Sequence, residues 1–321
     1  MKTAIISDVH GNYPALLRVI EDAHANGVEQ FVFIGDYIFD LPYPNEVTRL
    51  IMKLDNAHII KGNKENYLLG LAKSDQTDWT YDQIGGIYQT FRDLEPDVLE
   101  YLMALEEEKY IQLANNEFLF ATHYLKSFKT ENKQNCGSSE FHRRMLDDPF
   151  THEQFLEDFQ TLILSDDIRK EIESIDASVI VFGHNHLQSY GYCSGKLIIN
   201  PGSCGQPLDF NVDAAYTILE ASQEGYNVEE KRVEYDVKTL INDAKNSKLY
   251  ASGKIWSELV FLAIKTGKDY FGIFFETASR IAKSKDENGQ FFSNETWKEA
   301  YDIFIHRLQY YGYRNQFKER S

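Results

Sequence analysis

Short apolar runs of strand length alternate with amphipathic spacing through most of the chain. Residues 2–7 (KTAIIS) and 30–34 (QFVFI) are almost continuously apolar, the pattern of strands covered on both faces. Between them Asn12-Tyr13-Pro14 reads as a capped helix start, Leu16, Ile20 and Ala23 recur at helical spacing, and Gly27 supplies a stop. The spacing predicts a β-α-β unit. After a loop punctuated by Pro42 and Pro44, Val47, Leu50, Ile51 and Leu54 mark a second amphipathic helix, followed by a strand at 57–61. Residues 64–108 are expected to be mainly helical with an interruption at Gly85-Gly86, and YIQLANNEFLFATH reads as a hairpin turning at Asn115-Asn116. The polar segment 124–177 leans toward helix and is expected to run over the sheet edge. Strand patterns return at 178–182, 196–200, 214–220 and 227–235.

From residue 238 the pattern becomes helical. Trp256, Leu259, Val260 and Ala263, then Trp297, Tyr301, Phe304, Ile305 and Leu308, repeat at spacings of three and four. These aromatics are expected to be packing residues, either against the core or in a homodimer contact. The expected organisation is an α/β domain over 1–237 and a helical extension over 238–321.

The chain has 321 residues and a formal net charge of -17. That charge disfavours double-stranded nucleic acid, because affinity for a phosphate backbone is carried by Lys and Arg clusters, and the sequence has none. An acidic protein that handles a small phosphorylated substrate needs a local positive charge, which bound divalent cations would provide. Cys136, Cys193 and Cys204 are odd in number and lack CxxC spacing, so neither a disulfide framework nor a thiolate zinc site is indicated. Met1-Lys2 leads directly into the first strand without an apolar leader or membrane span, and the expected location is the cytoplasm.

Five polar signatures follow apolar runs: Asp8-Val9-His10, Gly35-Asp36, Gly62-Asn63, Thr122-His123 and Gly183-His184-Asn185-His186. Asp8-Val9-His10, Gly35-Asp36 and Gly62-Asn63, taken singly, are ordinary turn chemistry. Two imidazoles one residue apart directly after a buried strand are harder to explain by packing. Together the five hold seven oxygen and nitrogen donors, too many for one four-coordinate ion and suited to two adjacent ions sharing a carboxylate.

In order, DVHGN, GDY, GNKE, THY and GHNH resemble the motifs of the calcineurin-like metallophosphoesterases, which run D-x-H, G-D, G-N-H-D/E, H and G-H-x-H. The resemblance covers about 1–237 and is supported by LIINPGSCGQP and GDYIFDLPYPNEV. KRVEYDV and the aromatic tail look like a smaller bacterial subgroup labelled symmetrical diadenosine tetraphosphatase-like. The resemblance implies a four-layer α/β/β/α sandwich with two divalent or trivalent ions, manganese, iron or zinc. It places Asp8, His10 and His186 on the first ion, Asn63, His123 and His184 on the second, and Asp36 between them.

The expected reaction is hydrolysis of small phosphate esters or anhydrides, nucleotides and dinucleoside polyphosphates among them, by hydroxide generated at the ions. Binding to such an ion lowers the pKa of water from about 15.7 toward about 7. Where the family has a histidine after G-N, a leaving-group acid, this chain has Lys64. Lys64 reads as a proton donor with a lowered pKa, a fixed cation for phosphate, or a surface lysine at the site rim. Losing a general acid typically costs about 10² to 10⁴ in rate, so restriction to good leaving groups is expected unless Tyr124 replaces it. Asn12 either approaches substrate or caps the first helix. Lys126, Arg143 and Arg144 are further candidate phosphate contacts, against the alternative of a solvated helix face. His24, His58, His142, His152 and His306 are assigned no role. Two other classes remain: a phosphodiesterase or nuclease, and a non-catalytic metal-bound interaction module.

Overall fold

The computed structural model of the chain describes residues 1–129 and 151–310; Cys136, His142, Arg143 and Arg144 lie outside the described residues. Strand β1 (Lys2–Ile6) leads into helix α1 (Tyr13–Ala25), whose first turn is capped by the Asn12 side chain accepting from the Ala15 amide at 3.1 Å. Leu16, Val19, Ile20 and Ala23 form its buried face. Strand β2 (Gln30–Ile34) is buried throughout, as its unbroken apolar run requires. Helix α2 (Pro44–Met52), strand β3 (Ala57–Ile60) and helix α3 (Asn63–Lys73) follow. β1, β2 and β3 pair in parallel, each joined to the next through a helix.

Helices α4 (Gly85–Asp93) and α5 (Pro96–Ala104) complete this half. Gly85-Gly86 opens α4. A Cβ at Gly85 would stand 1.9 Å from the carbonyl oxygen of Ser252, so glycine there lets a distant part of the chain approach this backbone. Strands β4 (Glu108–Gln112) and β5 (Phe118–Thr122) form the expected hairpin, with Asn116 in the left-handed region at its turn. Helices α6 (His152–Ile163) and α7 (Asp166–Ser174) belong to the segment expected over the sheet edge. They cover the sheet face instead: Phe159, Ile163, Ile168 and Ile172 pack with Phe120, Ile180, Phe182 and Ile198, an apolar surface that has to be kept from water.

Strand β6 (Val179–Val181) precedes β7 (Gln188–Cys193) and β8 (Lys196–Pro201). β7 escaped the sequence reading because QSYGYC alternates polar, aromatic and glycine positions without an apolar run; it is an edge strand held antiparallel to β8. Strands β9 (Ala214–Ser222) and β10 (Gly225–Val233) form a long hairpin beside β1. The two five-stranded sheets run β10-β9-β1-β2-β3 and β4-β5-β6-β8-β7. Ile5, Val32 and Ile34 meet Leu119, Val181 and Ile199 between them, while α1, α2 and α5 pack outside one sheet and α6 and α7 outside the other. The result is the four-layer α/β/β/α sandwich.

Helices α8 (Val237–Lys245), α9 (Lys248–Ser252), α10 (Lys254–Thr266), α11 (Phe271–Ser284) and α12 (Asn294–Tyr310) complete the described chain. Phe274, Trp297, Ala300 and Phe304 form a separate core among the last three helices. A second cluster, in which Leu41 meets Leu240, Val260 and Ile264, fastens them to the loop after β2. Among the described residues no helix is long and apolar enough to cross a membrane.

Candidate metal centre

The loops that leave the C-terminal ends of β1, β2, β3, β5 and β6 converge on one spot between the sheets. Five of the candidate ligands on them adopt positive φ: Asp8 (53°), His10 (53°), Asp36 (58°), His184 (73°) and His186 (59°). Each such non-glycine conformation costs about 1–3 kcal/mol and persists only where the surroundings impose it. Here backbone hydrogen bonds impose it, from the Asp8 amide to the Gly35 carbonyl (3.0 Å), from His10 to Asp36 (2.9 Å) and from Gly183 to His123 (3.0 Å). The β3–α3 turn is equally tight, because a Cβ at Gly62 would lie 2.1 Å from Asp36 Oδ1. Glu65, fully buried in the first turn of α3, accepts from the amides of Asp36 (2.9 Å), Tyr37 (2.8 Å) and Gly62 (2.7 Å), locking two site loops to each other.

All seven donors named from the sequence meet here. His10 Nε2 and His186 Nε2 lie 3.2 Å apart, and Asp8 Oδ1 is 3.8 Å and 3.4 Å from them. Alongside, Asn63 Oδ1 is 3.0 Å from His123 Nε2 and 2.9 Å from His184 Nδ1, and His123 Nε2 is 3.4 Å from Asp36 Oδ1. Asp8, His10 and His186 make one group able to hold a cation, and Asp8, Asp36 and His123 a second.

The hydrogen bonds on the far side of the imidazoles test whether a cation fits. His123 Nδ1 is 2.7 Å from the Ile34 carbonyl, His186 Nδ1 is 2.6 Å from the Gln206 carbonyl, and His10 Nδ1 is 2.8 Å from Asp40 Oδ2. The outer nitrogens of His123 and His186 therefore donate to carbonyls and that of His10 faces a carboxylate, which leaves each neutral ring's lone pair on Nε2, pointing inward. Lone pairs converging at 3.2 Å, beside a buried Asp8 Oδ1 that has no hydrogen-bond partner, need positive charge between them. The donor set fits metal ions.

The electrostatics show the same demand. Burial opposes ionisation of Asp8 and Asp36, yet His186 and His10 hold Asp8 well below the usual carboxylate range, and His123 lowers Asp36. Conversely, burial opposes charge on His10 and His123, but Asp40 and Asp8 push His10 up to about 9, and Asp36 pushes His123 up to about 9. Burial and the neighbouring His123 charge push His184 down to about 4. Without a metal the site holds protons where a cation would displace them.

Lys64 is not a surface lysine. Its side chain is 15% exposed, its Nζ lies 3.4 Å from Asp40 Oδ2, and although burial opposes its charge, Asp40 and Asp36 raise its pKa above the ordinary lysine value. It is a held cation. Asn12 is fully buried: besides capping α1, it donates to the Gly205 carbonyl at 2.8 Å. Lys126 is solvated and pairs with Glu108 at 2.9 Å. Tyr124 borders the cluster, with its ring 6.0 Å from that of His123 and 5.6 Å from that of His184. His58 is 3.1 Å from the Gln30 amide nitrogen, and His24 packs on Phe31, both away from the site.

The sequence reading missed Asp40, which joins His10 to Lys64 and accepts the Trp256 indole N–H at 2.7 Å. It also took Trp256 for packing alone. Trp256 does pack against both helical clusters, and with Phe271 and Phe275 it also lines the cavity of about 220 Å³ that opens onto His10, Asp36, Asn63, Lys64, His184 and His186. The capping geometry at Gly62 and Glu65 was the available signal for Glu65; no local signal marked Trp256.

Residues 1–224 match the family model of the calcineurin-like phosphoesterase superfamily domain. An uncharacterized protein of Methanocaldococcus jannaschii is 26% identical over 250 residues, covering 73% of this chain and 88% of that protein. The fold is similar to that of a hypothetical protein of Pyrococcus horikoshii (18% identity, TM-score 0.61, covering 84% of this chain and 99% of that one). It is also similar to that of a metallophosphoesterase from Sphaerobacter thermophilus (21% identity, TM-score 0.57, covering 83% and 99%). With the family match spanning most of the chain and the donor cluster lying inside it, the chain belongs to the calcineurin-like phosphoesterase superfamily and is a metal-dependent phosphoesterase.

Proposed function

We propose that the protein is a dinuclear-metal phosphohydrolase acting on small phosphate esters or anhydrides. One ion would be held by Asp8, His10 and His186 and the other by Asn63, His123 and His184, with Asp36 shared. The observation that carries this reading is the inward turn of His10, His123 and His186, whose outer nitrogens are each occupied by an acceptor. Bound ions of this kind polarise a phosphoryl oxygen and bring the pKa of water near neutrality.

The chain's own residues do the rest. Asp40, Ile34 and Gln206 fix the three rings. Lys64 offers an immobile positive charge to a phosphate oxygen and, staying protonated, gives no proton to the leaving group. Substrates whose leaving groups depart as stable anions, aryl esters and anhydrides such as nucleotides and dinucleoside polyphosphates, are therefore favoured over simple alkyl esters. The small cavity and the net charge of -17 support a small substrate over a nucleic acid. A cytoplasmic protein that uses no membrane is the accompanying proposal, with residues 238–321 as an extension of the 1–237 catalytic unit.

The test is a panel of phosphomonoesters, phosphodiesters and dinucleoside polyphosphates assayed with the metals as purified, identified by mass spectrometry. Two bound ions per chain and turnover of small phosphates are expected. Metal without turnover of any ester would leave only a binding module, and single-stranded nucleic acid cleaved faster than every small phosphate would make it a nuclease. Equal rates on aryl and alkyl esters would identify an acid that Lys64 does not supply, with Tyr124, beside His123 and His184, the candidate.

A further inference from the structure

One side of the cavity belongs to the phosphoesterase sandwich and is polar except for Leu208. The other comes from α10, α11 and the turn between them, beyond the segment that matches the family model. Trp256, Phe271 and Phe275 supply three aromatic rings to that wall, beside the carboxylate of Asp269. All three are half-buried. Trp256 is held by its hydrogen bond to Asp40, its ring centroid is 4.7 Å from that of Phe271, and the Phe271 and Phe275 rings are stacked at 6.4 Å. Lys64 Nζ lies 5.7 Å from the Trp256 centroid, so the phosphate-facing cation and the aromatic wall are adjacent.

Rings presented to solvent beside a charged site are costly to keep exposed and are positioned to receive a flat partner. Resting on the phosphohydrolase reading, we propose that this wall selects the leaving group: the phosphoryl group lies against the ligand cluster and Lys64, while a planar ring, aryl or nucleobase, stacks on Phe271 and Phe275. An aliphatic group of the same size gains burial alone. The added aromatic interaction corresponds to a preference of about 3- to 10-fold.

The test separates binding from turnover. Calorimetry on the protein as purified compares benzylphosphonate with cyclohexylmethylphosphonate, which differ in planarity and carry no cleavable ester. A second arm compares a nucleoside monophosphate with its base-free sugar phosphate in kcat/KM, which distinguishes a nucleobase from a simple aryl group. The planar member should win about 3- to 10-fold in at least one arm. Phe271→Leu and Phe275→Leu, made separately, should each reduce that preference, read as the ratio of the two affinities. Two single variants guard against one misfolding, since Phe275 also packs on Trp297. A preference near one in both arms, or one that survives both substitutions, overturns the proposal. If no ester is hydrolysed but benzylphosphonate still binds preferentially, the hydrolase reading fails and the aromatic wall stands.

Discussion

Two regions face each other across one small cavity and are built by opposite rules. The ligand cluster consists of buried and half-buried polar side chains on strand-end turns, five of them in left-handed conformations, with His123 and His186 held from behind by backbone carbonyls. The facing wall consists of aromatic side chains on regular helices, positioned mainly by packing. Backbone strain is sustained where donor atoms have to converge within a few tenths of an ångström, because a metal centre tolerates little displacement. A leaving-group wall needs only shape and a flat surface, which ordinary helix packing provides. Asp40 is the joint between the two regimes, touching His10 on one side and Trp256 on the other.

The comparison breaks most sharply at Asp36. Asp36→Asn removes the proposed shared carboxylate while keeping the shape, so both ions should be affected. Partners that merely orient a ligand are worth about 10- to 100-fold, so loss of a direct ligand should exceed about 100-fold in kcat/KM and lower the metal content measured by mass spectrometry. Activity like that of the wild type would sink the ligand assignment. Asp40→Asn comes next, because it leaves His10 without its anionic acceptor and Lys64 without its counter-ion. A loss of about 10- to 100-fold in activity or metal affinity is expected, detectable by titrating metal back into stripped protein.

How much of this was legible in the sequence divides along the same line. Asp8, His10, Asp36, Asn63, His123, His184 and His186 were readable only as a set: most of the signatures are ordinary alone, but five in succession at the ends of apolar runs hold seven donors and resemble the ordered motifs of one family. The strands that deliver them were readable from those apolar runs. Asp40 was not, being one carboxylate among 50 acidic residues with no local pattern to set it apart. Trp256 was hidden differently: its partner Asp40 is 216 positions away, and its helical spacing is the spacing of a packing residue. Pattern reports which face of a helix is apolar, and cannot report whether that face meets a core or a cavity. Edge strand β7 was missed because a half-exposed strand with a glycine has no apolar run to announce it.

Trp256→Phe tests the joint from the wall side. The ring remains but the N–H to Asp40 is lost, a hydrogen bond to a charged group worth about 1.5–3 kcal/mol. Asp40 keeps His10 and Lys64 as partners, so the reduction in kcat/KM should be under about tenfold, smaller than that of Asp40→Asn. A loss equal to that of Asp40→Asn would mean that the indole, and not the carboxylate, sets the His10 orientation.

The smallest effect on turnover is expected from the deepest change in the extension. Phe304 is 1% exposed, packs on Phe274 and Tyr270, and touches neither the cavity nor any ligand. Phe304→Ala should destabilise the helical core by about 3–5 kcal/mol, seen as a lower melting temperature and faster proteolysis of the extension. If packing alone holds the wall, and the strand-end hydrogen bonds alone hold the ligands, the variant below its melting transition should retain kcat within about twofold on an aryl phosphate, because stability lost at a distant core position leaves native-state geometry intact until the helices open. A large fall in kcat at low temperature, with metal content unchanged, would show that the two regions are coupled through more than Asp40, and that the wall's rigidity is transmitted to the metal centre.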